Sequence, residues 1–189
     1  ELWGHGRSPA PADPARYEPE AYAEELERLR IELGAERWFV IGQSLGSGLV
    51  LHYGLAHPGR VLAQVVTNSL SAFVPTEGWR ERAARTAVPQ AERVRRDGVT
   101  SLRDEPINPG RSRRLSAQVR DGLAAELNEH QAEGVAHAMT VTTAGAPLGD
   151  RLRDVSVPTL LTVGRREERF LPLVERVRYP GLPSHPTHA

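Results

Sequence analysis

Cysteine and lysine are both absent from this chain of 189 residues, and methionine occurs once, at Met139. The absence of cysteine excludes disulfide bonds, thiolate metal ligands and a cysteine nucleophile. Because arginine supplies all 24 basic side chains, an arginine-rich segment carries less functional weight here than in a mixed composition. The 24 acidic residues balance the arginines, and a net charge of zero gives the protein no general attraction to nucleic acids or anionic membranes.

Long apolar runs are missing as well. No stretch approaches the roughly 18 residues that a membrane-spanning helix needs, so we expect no membrane association. The chain starts at Glu1 rather than at a methionine, which predicts a truncated N-terminus and leaves a signal peptide unassessed; a cytoplasmic location is the default expectation. The length and a hydrophobic content of 39% are those of one globular domain.

A Gly-x-Ser-x-Gly pattern at Gly42–Gly46 is the most informative feature that the sequence does have. It follows an apolar run, 38–41, which predicts a fully buried strand, and it precedes an apolar run, 49–56, which predicts a helix. Strand, Gly-x-Ser-x-Gly and helix form the order of a nucleophile elbow, a sharp turn that strains the backbone of the serine. Ser44 would then stand at the N-terminus of a helix, where negative charge is stabilised. The alternative is a glycine-rich turn with an exposed serine.

The helices and strands predicted around this motif alternate as in a parallel sheet with helical crossovers. A helix is expected over 19–34, and further strands are expected over 61–67 and 158–164. Between these two strands the sequence predicts helices only, near 77–97, 111–130 and 131–142. We therefore divide the chain into a core part with the elbow, 1–68, a helical insertion, 69–150, and a second core part, 151–189.

Five segments resemble the α/β-hydrolase superfamily and occur in that family's order, namely Leu2–Ser8, Gly42–Gly46, 56–61, 157–164 and 184–188. The resemblance implies an α/β fold in which helices flank a parallel sheet. The helical insertion stands where members of the serine-nucleophile branch with a lid carry that lid, so the resemblance implies that it is a lid. It also implies that the family's first strands and its oxyanion loop would precede Glu1, so that N-terminal strands are missing from this chain.

The resemblance implies a catalytic triad of serine, acid and histidine, in that order along the chain. It assigns the nucleophile to Ser44 and the acid to Glu167, with Glu168 as the competing choice. His185 fits the family's histidine loop, and His188 is the second candidate. In such a triad the histidine takes the serine proton, and the carboxylate fixes the imidazole tautomer. The alternative for the two glutamates is a solvated, charged turn.

The oxyanion hole of this family uses the backbone N–H that follows the nucleophile, which here belongs to Leu45, and a second donor that would precede Glu1. Only eighteen positions separate Glu167 from His185, whereas the family normally places a helix and a strand there. Whether His185 reaches Ser44 is therefore left open, as are the second oxyanion donor and the oligomeric state.

The leading hypothesis is a serine hydrolase that acts on a small molecule through an acyl-enzyme on Ser44, cleaving an ester, a related acyl bond or a carbon–carbon bond. No cofactor, metal or nucleic-acid partner is expected. Residues 80–120 carry eleven arginines against five acidic residues, so Arg113 and Arg114 are candidates for binding an anionic substrate; solvated arginine faces are the alternative. The rival hypothesis is a non-catalytic binding or scaffold protein, or an inactive truncated remnant on the same fold.

Overall fold

The computed structural model describes residues 1–69, 71–106 and 108–164. Within these ranges the strands are β1 (Trp38–Gln43), β2 (Val61–Thr67) and β3 (Thr159–Thr162). The α-helices are α1 (Pro19–Glu32), α2 (Leu45–Ala56), α3 (Trp79–Asp97), α4 (Ala117–Leu127), α5 (Ala132–His137) and α6 (Thr143–Gly145). A π-helical turn, Ala138–Thr142, joins α5 to α6, and 3₁₀ segments lie at Pro14–Tyr17, Pro58–Arg60, Ser71–Phe73, Val99–Leu102, Pro109–Arg111 and Gly149–Asp154.

The three strands form one parallel sheet in the order β1, β2, β3. Ile41 of β1 is level with Val65 of β2, and Val65 is level with Leu160 of β3. The expected α/β fold, a parallel sheet flanked by helices, is confirmed. Because all three strands run in one direction, their carboxyl ends meet at the same edge of the sheet, directly before the loops that follow them.

Strand β1 is buried on one face only, although its continuous apolar sequence predicted burial on both. Val40 of β1 and Val66 of β2 belong to the core that also contains apolar residues of α2. Phe39 and Ile41 are 70% and 72% exposed, and Leu160, on the same face as Ile41, is 57% exposed. The prediction was wrong because side chains alternate along a strand, and the helices that pack on the described strands cover the Val40 face.

The described residues group into two compact units. The sheet unit comprises residues 18–80 and 145–164, and the helical unit comprises residues 1–17 and 81–144. Buried core residues of the sheet unit include Val40, Leu51, Tyr53, Val66 and Leu148, and those of the helical unit include Val94, Val99, Leu102 and Val135. No described residue between β2 and β3 belongs to a strand, as the sequence predicts, while the segment boundaries at 68 and 150 stay a prediction.

A hydrogen-bond network anchors α1 to β1 and α2 within the sheet unit. On α1, Arg30 Nη2 lies 2.6 Å from Glu27 Oε1, and the Tyr53 hydroxyl of α2 donates to Glu27 Oε2 at 2.8 Å. Trp38 Nε1 of β1 donates to the same Tyr53 hydroxyl at 3.1 Å. The hydrogen bonds from Arg30 lower the pKa of Glu27 to about 2, and burial raises the pKa of Tyr53 to about 12. The network therefore holds together the two helices that precede and follow β1.

Candidate active site

Ser44 lies between the last residue of β1 and the first residue of α2. Its φ of 54° and ψ of −117° fall outside the regions that residues with side chains prefer; among the described residues, Asn68 is the other non-glycine residue with a positive φ. Such a conformation persists only where the surrounding contacts over-determine it, and active sites are a common place for it. Ser44 is exposed, and its hydroxyl makes no capping hydrogen bond to α2. The turn therefore presents the hydroxyl away from the backbone, as a nucleophile elbow does.

The two glycines of the motif differ in how strictly the structure requires them. A Cβ atom on Gly42 would overlap the Gly46 carbonyl group, 2.5 Å from its carbon, and would lie 2.7 Å from the Ser47 nitrogen. These are backbone atoms, which cannot rotate away. A Cβ atom on Gly46 would meet nothing within 4 Å. Gly42 is thus the point where strand and helix touch, and a side chain there would force them apart.

Ser47, in the first turn of α2, is fully buried beneath the elbow. Its Oγ lies 2.9 Å from the Gly42 carbonyl oxygen and 3.1 Å from the Thr67 carbonyl oxygen, and it accepts a hydrogen bond from the Thr67 N–H at 3.2 Å. The side chain therefore joins the ends of β1 and β2 to α2. The sequence analysis missed this residue, because a serine in a glycine-rich stretch is typical of any turn.

The carboxyl ends of the three strands are joined side by side at the same edge of the sheet. The Ser44 N–H donates to the Thr67 carbonyl oxygen at 3.0 Å, so the nucleophile candidate is bonded to the end of β2. Asn68 follows β2 with a φ of 49°, and its Oδ1 accepts from the Gly164 N–H at 3.2 Å. The Asn68 N–H donates to the Thr162 carbonyl oxygen at 3.3 Å. Clefts outside the carboxyl ends of parallel strands are the usual ligand sites of open α/β sheets.

Asn68 is the second residue that sequence reasoning missed. The residue type is the only indication in the sequence, since asparagine tolerates a left-handed backbone better than other residues with a side chain. An asparagine directly after a buried strand therefore hints at a tight turn there, with a side chain free to bond a neighbouring loop.

Of the predicted site residues, the structure brings Ser44 and Leu45 together. Leu45 is the first residue of α2, so its N–H belongs to the helix N-terminus, where backbone donors lack helical partners. The triad candidates Glu167 and His185 lie outside the described residues, as do their alternatives, Glu168 and His188. Their roles stay predictions. Within the described part of the chain, no side chain hydrogen-bonds to the Ser44 hydroxyl.

Each of the five described histidines has a hydrogen-bond or ion-pair partner; they are His5, His52, His57, His130 and His137. On α2, His52 is buried with its Nδ1 3.3 Å from a Glu20 carboxylate oxygen, and burial lowers the pKa of this imidazole. His57, just after α2, lies 3.0 Å from a Glu24 carboxylate oxygen. The other three belong to the helical unit. The structure therefore offers no described histidine hydrogen-bonded to Ser44 as a base.

Arg113 and Arg114 lie in the helical unit, a few residues before α4, and both are exposed. They form no ion pair with another described residue. Among the described residues, no three histidine, aspartate or glutamate side chains cluster in a way that could hold a metal ion. No helix in the described ranges has both the length and the apolar character needed to cross a membrane.

The sequence profile of the alpha/beta hydrolase fold matches residues 1–102, which is more than half of the chain and includes the elbow. The chain therefore belongs to the alpha/beta hydrolase fold family. This membership agrees with the strand, strained serine and helix found at residues 38–56.

Individual relatives point to the same fold. A Bacillus subtilis (strain 168) protein, provisionally named 2-succinyl-6-hydroxy-2,4-cyclohexadiene-1-carboxylate synthase, is 26% identical over 92% of this chain and 65% of its own length. A malate-bound thermophilic esterase from Thermogutta terrifontis is 26% identical, with a TM-score of 0.69, over 87% of this chain and 59% of the esterase. MenH from S. aureus shares the fold with a TM-score of 0.76 at 18% identity, over 93% of this chain and 67% of MenH. The chain thus spans less than two thirds of the length of this Bacillus relative.

Proposed function

We propose that this protein is a serine hydrolase that cleaves an ester or a related acyl bond of a small molecule through an acyl-enzyme on Ser44. The observation that carries the proposal is the conformation of Ser44, a positive-φ residue exposed at the junction of β1 and α2 with no hydrogen bond to its hydroxyl from a described residue. Membership of the alpha/beta hydrolase fold family supports the same reading.

In the proposed reaction, the Ser44 hydroxyl attacks the substrate carbonyl carbon while a histidine takes its proton, with His185 as the first candidate and His188 as the second. A carboxylate, from Glu167 or else from Glu168, would hold the imidazole tautomer and stabilise the imidazolium. The Leu45 N–H at the start of α2 would donate to the developing oxyanion, aided by the helix N-terminus. The protonated histidine then gives its proton to the leaving alcohol, and water releases the acid from Ser44 in a second addition and elimination.

The names of the relatives indicate which bond of the substrate this protein would cleave. The Thermogutta protein is an esterase, which favours ester cleavage, and the name of the Bacillus protein favours a carboxylate-bearing molecule. Carbon–carbon bond cleavage is the second candidate for the same triad. We also propose the helical insertion as a lid and the cytoplasm as the location of the protein.

Hydrolysis of p-nitrophenyl esters of increasing acyl length tests the proposal directly. We expect turnover that is lost in Ser44→Ala, strongly reduced in Glu167→Gln and nearly unchanged in Glu168→Gln. His185→Ala and His188→Ala distinguish the two candidate bases in the same assay. Turnover that survives in Ser44→Ala would overturn the proposal, and a folded protein without any turnover or ligand-dependent stabilisation would favour the non-catalytic alternative.

The anionic-substrate proposal has its own test. Reversing the charge of Arg113 or Arg114 to glutamate should lower kcat/KM for a carboxylate-bearing ester while leaving a neutral ester of the same size nearly unchanged. Equal effects on both esters would contradict a role of these arginines in substrate binding.

A further inference from the structure

We propose that Ser47 is a positioning residue for the nucleophile, whose buried hydroxyl holds Ser44 in its strained conformation. The inference rests on the proposed role of Ser44 and adds a residue that belongs neither to the triad nor to the oxyanion hole. It is carried by the hydrogen bonds of Ser47 and by its complete burial.

Ser44 is hydrogen-bonded through the peptide groups on both of its sides. Its N–H is bonded to the Thr67 carbonyl oxygen at 3.0 Å, and its own carbonyl oxygen accepts from the Ser47 N–H at 3.1 Å. Ser47 and Thr67 therefore hold the two peptide groups that flank the strained residue. A positive φ costs a residue with a side chain about 1–3 kcal/mol, so both peptide groups must be held firmly for it to persist.

The Ser47 hydroxyl connects Ser47 directly to Thr67. Its oxygen accepts from the Thr67 N–H at 3.2 Å, while its single proton is shared between the carbonyl oxygens of Thr67, at 3.1 Å, and Gly42, at 2.9 Å. The Ser47 hydroxyl thus links the first turn of α2 to Gly42, two positions before Ser44, and to Thr67, which bonds the Ser44 N–H. Loss of the hydroxyl leaves the Ser44 turn held by backbone contacts alone.

Ser47 is buried, so water could take the place of a removed hydroxyl only if a cavity opened there. Ser47 has no exposed surface, and Ser47→Ala adds no volume that could force the elbow open. The expected consequence is a looser Ser44 turn in a folded protein. A displacement of about 1 Å at a reacting atom lowers the rate on the order of 100-fold, so even a partial loosening is measurable.

The test compares the second-order rate constant for labelling of Ser44 by a fluorophosphonate probe in the wild type, in Ser47→Ala and in Ser47→Cys. We expect Ser47→Ala to react about 10-fold to 100-fold more slowly. Ser47→Cys, which keeps a weaker donor and acceptor, should react at an intermediate rate. With an ester substrate, kcat should fall in the same order while KM stays within about twofold, because uniform binding is untouched.

Thr142→Val is the matched control for a general loss of stability. Thr142 is also fully buried, and its Oγ1 donates to the Tyr17 carbonyl oxygen at 2.8 Å in the helical unit. This variant should lower the unfolding midpoint by an amount similar to that of Ser47→Ala and leave the labelling rate of Ser44 unchanged. If both variants slow labelling equally, stability rather than positioning explains the effect, and the inference is wrong.

The remaining outcomes separate the inference from the function on which it rests. A wild type that labels at Ser44 while Ser47→Ala labels equally fast overturns the positioning role and leaves the proposed hydrolase intact. A folded wild type that does not label at all overturns both. If Ser47→Ala does not fold, the Ser47→Cys rate decides, and a rate equal to that of the wild type contradicts the proposal.

Discussion

Replacing Gly42 by alanine is the sharpest structural test of the elbow. The added Cβ would overlap the Gly46 carbonyl group, 2.5 Å from its carbon, and would lie 2.7 Å from the Ser47 nitrogen. Carbon atoms without a bond between them normally stay at least about 3.5 Å apart, so the strand and the helix would have to separate by roughly 1 Å. The obstructing atoms belong to the backbone, so no side-chain rotation can relieve the overlap.

The expected cost follows from this geometry. Overpacking a well-packed site costs about 1–3 kcal/mol and occasionally more, and we place Gly42→Ala at the upper end, about 3 kcal/mol, because only backbone can move. For a chain of this size, 1 kcal/mol corresponds to about 2–4 °C in Tm, which predicts a fall of about 6–12 °C. Opening the elbow should also remove fluorophosphonate labelling, since the strained Ser44 turn is what the overlap disturbs.

Gly46→Ala is the matched control, in the same motif and only four residues away. Its Cβ would meet no atom within 4 Å, and alanine within a helix is favoured over glycine by up to about 1 kcal/mol. Thermal unfolding followed by circular dichroism should therefore show a midpoint equal to or slightly above that of the wild type. Equal midpoints for Gly42→Ala and the wild type, or a larger loss in Gly46→Ala, would contradict the predicted overlap at Gly42.

Two further predictions concern stability. The pKa of Glu27 is lowered to about 2 from an ordinary value of 4.5, so this group stabilises the folded state above pH 4.5 and loses that effect as the pH falls towards 2. In urea unfolding, Glu27→Gln should lower the free energy of unfolding most near neutral pH, and this free energy should then depend less on pH between 5 and 2 than it does in the wild type. A difference in unfolding free energy between the two proteins that stays constant across that range would contradict the stabilising role of the network. Asn68→Ala should destabilise more than Asn68→Gly, by about 1 kcal/mol, because both variants lose the bond to Gly164 whereas only alanine also resists the φ of 49°. Equal losses would show that the left-handed backbone at this position carries no strain.

The parts of the structure that the sequence predicted are those encoded locally. The apolar run before Gly42, the glycine spacing and the apolar run after Ser44 predicted a strand, a turn and a helix, and each is present. The parallel sheet followed from the alternation of helices and strands.

The features that the sequence did not predict depend on contacts between distant segments. The sequence predicted that Phe39 and Ile41 are buried, but both are exposed. An apolar sequence shows that a strand can be buried without showing which of its faces the helices cover. The structural role of Ser47 depends on its hydrogen bond to Thr67, twenty positions away, and that of Asn68 on its hydrogen bond to Gly164, ninety-six positions away. The grouping of residues 1–17 with 81–144 likewise depends on packing that no local pattern encodes.

The most direct test of the central claim is mass spectrometric mapping of a fluorophosphonate adduct on the protein, with Ser44→Ala as the control. We expect one adduct, on the peptide that contains Ser44, in the wild type and none in Ser44→Ala. Labelling that persists in Ser44→Ala, or its complete absence from a folded wild type, would contradict the claim that Ser44 is an activated nucleophile.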